Sequence, residues 1–183
     1  NPPYSKGQSV YSDNNPNVEY PEIDERIKNT YGAKTISTAQ NSLYDSYVRS
    51  LRWASDRIDK SGIIAFVTNA SFIRSDTASG TRACLEEEFN DIWCLDLRGN
   101  QRTQGDLSRK EGGKIFGSGS RAPVAIILLV KNPNKKTHTI HYKDIGNYLT
   151  KEQKLDIVQS SESISGVKDW KIIKPDKNYD WIN

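Results

Sequence analysis

Apolar residues recur along this chain with two different periods, and their alternation outlines a fold. Over residues 41 to 60, Leu43, Tyr47, Leu51, Ala54 and Ile58 fall at steps of four, four, three and four, which is one continuous helical face. Asp59-Lys60-Ser61-Gly62 ends that helix, and residues 63–67 (IIAFV) follow as a short apolar run. Such a run, bounded by glycine and asparagine, predicts a buried, parallel strand. Earlier in the chain, Pro21 suits a first helical position, and Glu22, Asp24 and Glu25 load the first turn with the sign its dipole favours. Ile23 and Ile27 make that helix amphipathic as far as Gly32.

Residues 80–90 predict another helix, with Cys84, Leu85 and Phe89 inward, and residues 92–97 a second strand. A polar stretch, 98–121, carries no helical periodicity and reads as a loop. Residues 123–130 form a third strand, expected to return antiparallel because no helix precedes it. Residues 137–142 alternate as a candidate edge strand, and 151–159 make a short polar helix. Residues 5–20 read as a polar loop, and Trp170, Tyr179 and Trp181 lie in a tail without a usable period. The order helix, strand, helix, strand, loop, strand is α/β organisation. There is no internal repeat.

Composition narrows this picture. The 183 residues suit one domain, and an apolar share of 35% asks for long polar loops beside the core. The net charge of +3 permits nucleic-acid contact without arguing for it. Cys84 and Cys94 read as free, partly buried thiols. With His138 and His141 the only histidines, no metal site is expected. No run approaches the ~18 apolar residues of a membrane span, and the start is not a signal peptide, so a cytoplasmic protein is expected. The chain contains no methionine, which suggests a piece of a longer protein.

Two stretches carry candidate chemistry. The segment 98–121, RGNQRTQGDLSRKEGGKIFGSGSR, sets Arg98, Arg102, Arg109, Lys110, Lys114 and Arg121 against only Asp106 and Glu111. Basic and rich in glycine, it suits a phosphate backbone, and Phe116 is a ring that could stack on an unpaired base. A surface loop whose phenylalanine tucks into the core fits the same residues. Gly117-Ser118-Gly119 precedes a strand and is no dinucleotide fingerprint. The other stretch is Asn1-Pro2-Pro3-Tyr4, a stiff extended corner presenting an amide, bare carbonyls and an aromatic ring. That combination suits a planar heterocycle held by its exocyclic amine. A proline-rich terminal turn fits these four residues equally well.

In series, these segments resemble the carboxyl-terminal half of a γ-class, amino-methylating DNA methyltransferase. Asn1-Pro2-Pro3-Tyr4 is similar to the catalytic tetrapeptide after that family's fourth strand, and Asn41-Ser42-Leu43-Tyr44 with its helix to the next motif. Residues 62–72 (GIIAFVTNASF) resemble the fifth strand and its turn. Residues 92–97 and 123–130 resemble the sixth and seventh strands, an antiparallel pair in that fold. The segment through 98–126 is most like the methyltransferase region of type ISP restriction-modification enzymes, which join nuclease, helicase-like ATPase, adenine methyltransferase and target recognition in one polypeptide. The similarity covers roughly residues 1–131.

The resemblance implies the following. The fold is α/β, the carboxyl-terminal half of a class I, Rossmann-like S-adenosylmethionine-dependent sheet ending in an antiparallel pair. Residues 1–135 belong to the catalytic domain, and 136–183 lead toward a target-recognition domain. The Asn1 side chain and the Pro2 carbonyl accept hydrogen bonds from the 6-amino group of a flipped adenine, Pro3 stiffens the corner, and Tyr4 stacks on the base. Phe116 supplies the opposite contact, and Arg98, Arg102, Arg109, Lys110, Lys114 and Arg121 meet the backbone of double-stranded DNA. The S-adenosylmethionine site lies mostly outside this sequence, so the isolated chain is expected to be inactive. A sheet lacking its first strands exposes the edge at 63–68, which makes self-association an expectation. Two other classes fit: a methyltransferase acting on RNA or protein glutamine, and a non-enzymatic nucleic-acid-binding module.

Overall fold

A computed structural model describes residues 1–2, 20–117 and 120–182. Pro3, Tyr4, Ser118, Gly119 and most of the expected polar loop at 5–20 therefore lie outside the described residues. The described chain is a mixed α/β fold around one five-stranded sheet.

Helix α1 (Pro21–Ile27) begins on its proline and runs into one wider turn, Lys28–Gly32. The helix expected over 41–60 is two pieces. Asn41–Tyr44 forms a 3₁₀ turn, Asp45 is extended (ψ 144°), and α2 covers Ser46–Arg57. Asp45 sits where an N-cap residue belongs, its carbonyl accepting from the amides of Val48 and Arg49. The apolar period continued through 41–60 because Leu43 and Tyr47 are buried on both sides of that break.

Strand β1 (Gly62–Asn69) is followed by short turns at Ala70–Ile73 and Asp76–Ala78, then by α3 (Ser79–Glu88) and β2 (Asp91–Asp96). Helix α4 (Gly105–Glu111) lies within the stretch expected to be loop. It buries no residue of its own, which is why no apolar period announced it. Then come β3 (Val124–Lys131), β4 (Thr139–Asp144), α5 (Lys151–Ser161) and β5 (Lys171–Ile173). A capping box fixes the start of α5: Thr150 accepts from the Gln153 amide, and the Gln153 side chain accepts from the Thr150 amide.

The strand order is β1-β3-β2-β4-β5. Strand β3 enters the slot between β1 and β2 and runs antiparallel to both, from Gly62↔Lys131 to Asn69↔Val124 on one side and from Asp91↔Val130 to Asp96↔Ala125 on the other. The expected parallel pairing of β1 is corrected among the described residues, where its ladder is antiparallel. Nor is β1 covered on both faces, for Ile63 is 65% exposed. Strand β4 is not the edge expected of 137–142. It runs parallel to β2, and β5 pairs beyond it.

Alternation along the strands builds a core on each face. Ile92, Cys94, Ala125, Ile127, Leu129, Ile140 and Tyr142 face α1, α2 and α3 in the larger one. Leu95, Leu97, Ile115 and Val124 make the smaller one, against which Phe116, Val158 and Trp170 pack. Trp181, from the tail without a period, is buried in the larger core edge-on to Phe72, at 5.9 Å between centroids. No helix among the described residues is long and apolar enough to cross a membrane.

Candidate functional site

Functional sites of open α/β sheets gather at the carboxyl ends of strands, and the polar side chains of this chain collect there. Strand β1 ends in Asn69, whose side-chain oxygen accepts from the Ser71 amide at 2.9 Å and turns the chain sharply. Beside that turn is a hollow of about 340 Å³ whose lining includes Ser42, Asp45, Tyr47, Asn69, Ser71 and Arg102. Thr77 braces its rim, bonded to the hydroxyls of Ser42 and Ser75 at 2.7 Å each. Burial raises the Tyr47 phenol above its ordinary range and the Asp45 charge adds to this, while Arg102 pulls the other way.

On the other flank of α2's first turn lies a shallower groove of about 460 Å³. Asn1 and Pro2 line it together with Ser46, Arg49, Trp53 and Phe66. Asp45 and Ser46, adjacent in sequence, therefore face the hollow and the groove respectively. The corner expected to hold a base stands against this groove, at the start of α2. Pro3 and Tyr4 are outside the described residues.

A second group of polar side chains sits at the ends of β2 and β4. Asp96 is fully buried and accepts from Arg74 Nη1 at 2.5 Å, from Tyr142 Oη at 3.0 Å and from the Arg98 amide at 2.9 Å. Burial works against the Arg74 charge, but Asp96, Tyr142 and Asp144 outweigh it and keep the guanidinium protonated. Arg98, in the left-handed region at φ 56°, donates Nε and Nη2 to Asp144 at 2.6–2.8 Å. Burial alone would raise the Asp144 carboxyl. The bonds from Arg98 and the Gly146 amide win and hold it below its ordinary value.

The six basic residues of 98–121 separate into different settings. Arg98 turns inward to Asp144. Arg102 and Lys110 are exposed, Arg109 is exposed and pairs with Asp106 at 2.7 Å, and Lys114 is half-buried. Arg121 is exposed and donates Nη2 to the Gln101 carbonyl at 2.6 Å, which closes the base of the loop. Phe116 is half-buried against the smaller core. Of the residues read from the sequence, Arg102 shares the hollow with Asn69, while Asn1 and Pro2 share the adjoining groove.

Arg74, Tyr142 and Asp144 carry no signal in the sequence that would have marked them. Asp96 left one signal, an acid closing an apolar strand beside Arg98. Among the described residues, no group of three or more His, Cys, Asp or Glu could hold a metal ion.

No protein-family profile matches the chain, and no curated protein does. Solved structures that match it over nearly every residue include three with DNA or a DNA mimic. A nuclease-deletion mutant of the type ISP restriction-modification enzyme LlaGI, in complex with a DNA substrate mimic, is 53% identical over 99% of this chain (TM-score 0.93). The ATP-dependent type ISP enzyme LlaBIII, bound to DNA, is 40% identical over 99% (TM-score 0.91). A DrdV–DNA complex is 37% identical over 100% (TM-score 0.89). The similarity thus runs past residue 131 into α5 and the tail. This chain spans 14%, 12% and 17% of those three chains. Identity at this level, over nearly the whole of this chain, marks it as a fragment from the type ISP restriction-modification family.

Proposed function

We propose that this chain is the carboxyl-terminal half of the methyltransferase domain of such an enzyme, and that it holds an adenine flipped out of DNA for methylation at the 6-amino group. The strand order is the observation that carries the reading. The segments similar to the family's fifth, seventh and sixth strands lie side by side as β1, β3 and β2, with the middle one reversed. DNA in the LlaGI, LlaBIII and DrdV structures supports the choice of DNA over RNA or protein.

In this reading the Asn1 amide oxygen and the Pro2 carbonyl accept the two amino hydrogens, which orients the nitrogen lone pair and favours its developing positive charge. Pro3 keeps the corner rigid. Tyr4 and Phe116 take the two faces of the extruded ring. Arg102, Arg109, Lys110, Lys114 and Arg121 border the DNA backbone, and Arg98 serves them through its anchorage to Asp144. The methyl donor is S-adenosylmethionine, which supplies an electrophilic methyl group. The described residues do not make a whole site for it. The hollow beside β1 carries one carboxylate, Asp45, and no glycine-rich turn follows a strand there. The rest comes from outside this sequence, and the isolated chain is inactive.

Residues 1–135 form the catalytic half in this proposal, and 136–183 lead toward a target-recognition domain while packing on the sheet through β4 and Trp181. The parent polypeptide carries nuclease and ATPase domains, works in the cytoplasm and covers β1 with its own upstream strands. Without them, β1 is the edge through which the chain associates with itself. The test is Asn1→Ala in the full-length protein. Incorporation of labelled methyl into DNA falls to background, while duplex affinity changes less than about twofold. Methylation that persists removes the assignment.

A further inference from the structure

Before Ile115 and Phe116 the basic loop has almost no apolar anchorage, yet it is tightly held. Helix α4 buries none of its residues. Instead, the carbonyls of its last residue and of the two that follow are each taken by a side chain from elsewhere. Lys154 of α5 donates Nζ to the carbonyls of Glu111 and Gly113, at 2.7 Å each, and Gln101 Nε2 donates to that of Gly112 at 3.1 Å. Lys154 has no exposed surface, and its Nζ hydrogen bonds go to main-chain oxygens. Placing a cation there is costly unless its donors are satisfied.

The neighbouring backbone is shaped to match. The Gly113 amide donates to the Leu149 carbonyl at 2.9 Å, and the Tyr148 amide donates to that of Lys110 at 3.0 Å. A Cβ on Gly113 would stand 2.5 Å from the Lys151 nitrogen, and one on Gly112, which has φ +67°, would stand 2.2 Å from the Leu149 oxygen. Only glycines let the two segments come so close. Ile115 and Phe116 leave directly from this junction.

We propose that Lys154 is a positioning residue for base engagement: through the Glu111 and Gly113 carbonyls it sets the point from which the chain passes, by way of the buried Ile115, to Phe116 and its contact with the extruded adenine. It makes α5, which follows the catalytic strands, part of the machinery that holds the base. The inference rests on the adenine methyltransferase reading and adds a residue to it.

The test uses the full-length protein and a duplex carrying its target sequence, mapped from N6-methyladenine in cells expressing it, with 2-aminopurine in place of the target adenine. Unmodified duplex gives kcat and KM. In Lys154→Met, 2-aminopurine emission on binding falls at least fivefold and kcat at least tenfold, while KM and duplex affinity stay within twofold. Gly113→Ala keeps Lys154 and gives the same pattern, and it decides the matter if Lys154→Met does not fold. A lower melting temperature with emission and kcat unchanged assigns Lys154 a purely structural role and overturns the inference. A parent protein that neither extrudes the base nor methylates overturns the methyltransferase reading, and this inference with it.

Discussion

Arg82 of α3 and Asp180 of the tail, 98 positions apart, form an ion pair in which the guanidinium has no exposed surface. The same guanidinium donates to the carbonyls of Tyr179 at 2.5 Å, Phe72 at 2.9 Å and Ser75 at 2.8 Å. Tail, helix and the turn after β1 thus meet on one side chain. Arg82→Met leaves the buried Phe72 carbonyl and three part-exposed acceptors without their donor and is expected to cost about 1–3 kcal/mol. Trp181→Ala removes the ring from Phe72 and opens a cavity, at a larger cost of about 3–5 kcal/mol. In the parent protein, amide exchange within α3 quickens in both variants.

The Arg98–Asp144 link makes the loop sensitive to acid. Asp144 lies below its ordinary value of 3.8 when folded, so its contribution is complete above that value and is lost as pH falls through the lower, folded one. Protection of residues 98–121, measured by amide exchange and corrected for intrinsic rates, should stay level above about pH 5 and collapse below the folded value. In Asp144→Asn the protection should already be low at neutral pH and change little with acid.

Both cysteines should be silent toward thiol reagents in the native protein. Burial is the main cause in each case: it pushes Cys84 up to about 11, and Cys94 well above its ordinary value. Few thiolates form near neutral pH, and the sulfurs are covered. A disulfide-exchange assay should count neither thiol without denaturant and both with it. Rapid native modification of Cys94 would mean that the central sheet opens.

Charge removal on α4 and its approach separates electrostatic from base recognition. Replacing Arg102, Arg109 and Lys110 together should lower the slope of log affinity against log salt by about 0.9 for each phosphate that these side chains neutralise. An unchanged slope would return the segment to a surface element that does not touch DNA.

Much of the sheet was readable because its strands are apolar and short, and their bounds moved by a residue or two. Pairing direction was readable for β3, which returns antiparallel as the absence of a periodic helix before it implied, but not for β1. Residues 63–67 look alike whether their neighbour runs parallel or antiparallel, and only the entry of β3 between β1 and β2 decides it. Helix α4 was invisible because its stability comes from capped carbonyls and Gly112, with no buried face. At the site, Asn1 and the basic residues stood out by type and spacing. Asp144 and Lys154 did not, because each acts on a segment about forty residues away in sequence, at 46 positions from Arg98 and 41 from Gly113. A polar residue on a polar helix such as α5 gives no local sign that it turns inward.

The place of β3 also dictates an order of events on the ribosome. Among the described residues β1 ladders with β3 alone, so its β3-facing edge stays open until residues 124–131 have emerged, and β2 gains its antiparallel neighbour at the same moment. Until then that edge of residues 62–69 is exposed on a nascent chain, open to chaperones or to wrong pairing. Such non-local closure is slow, so the sheet sets together and late. A truncation before β3 therefore does not leave a smaller domain, but a chain in which nothing joins β1 to β2.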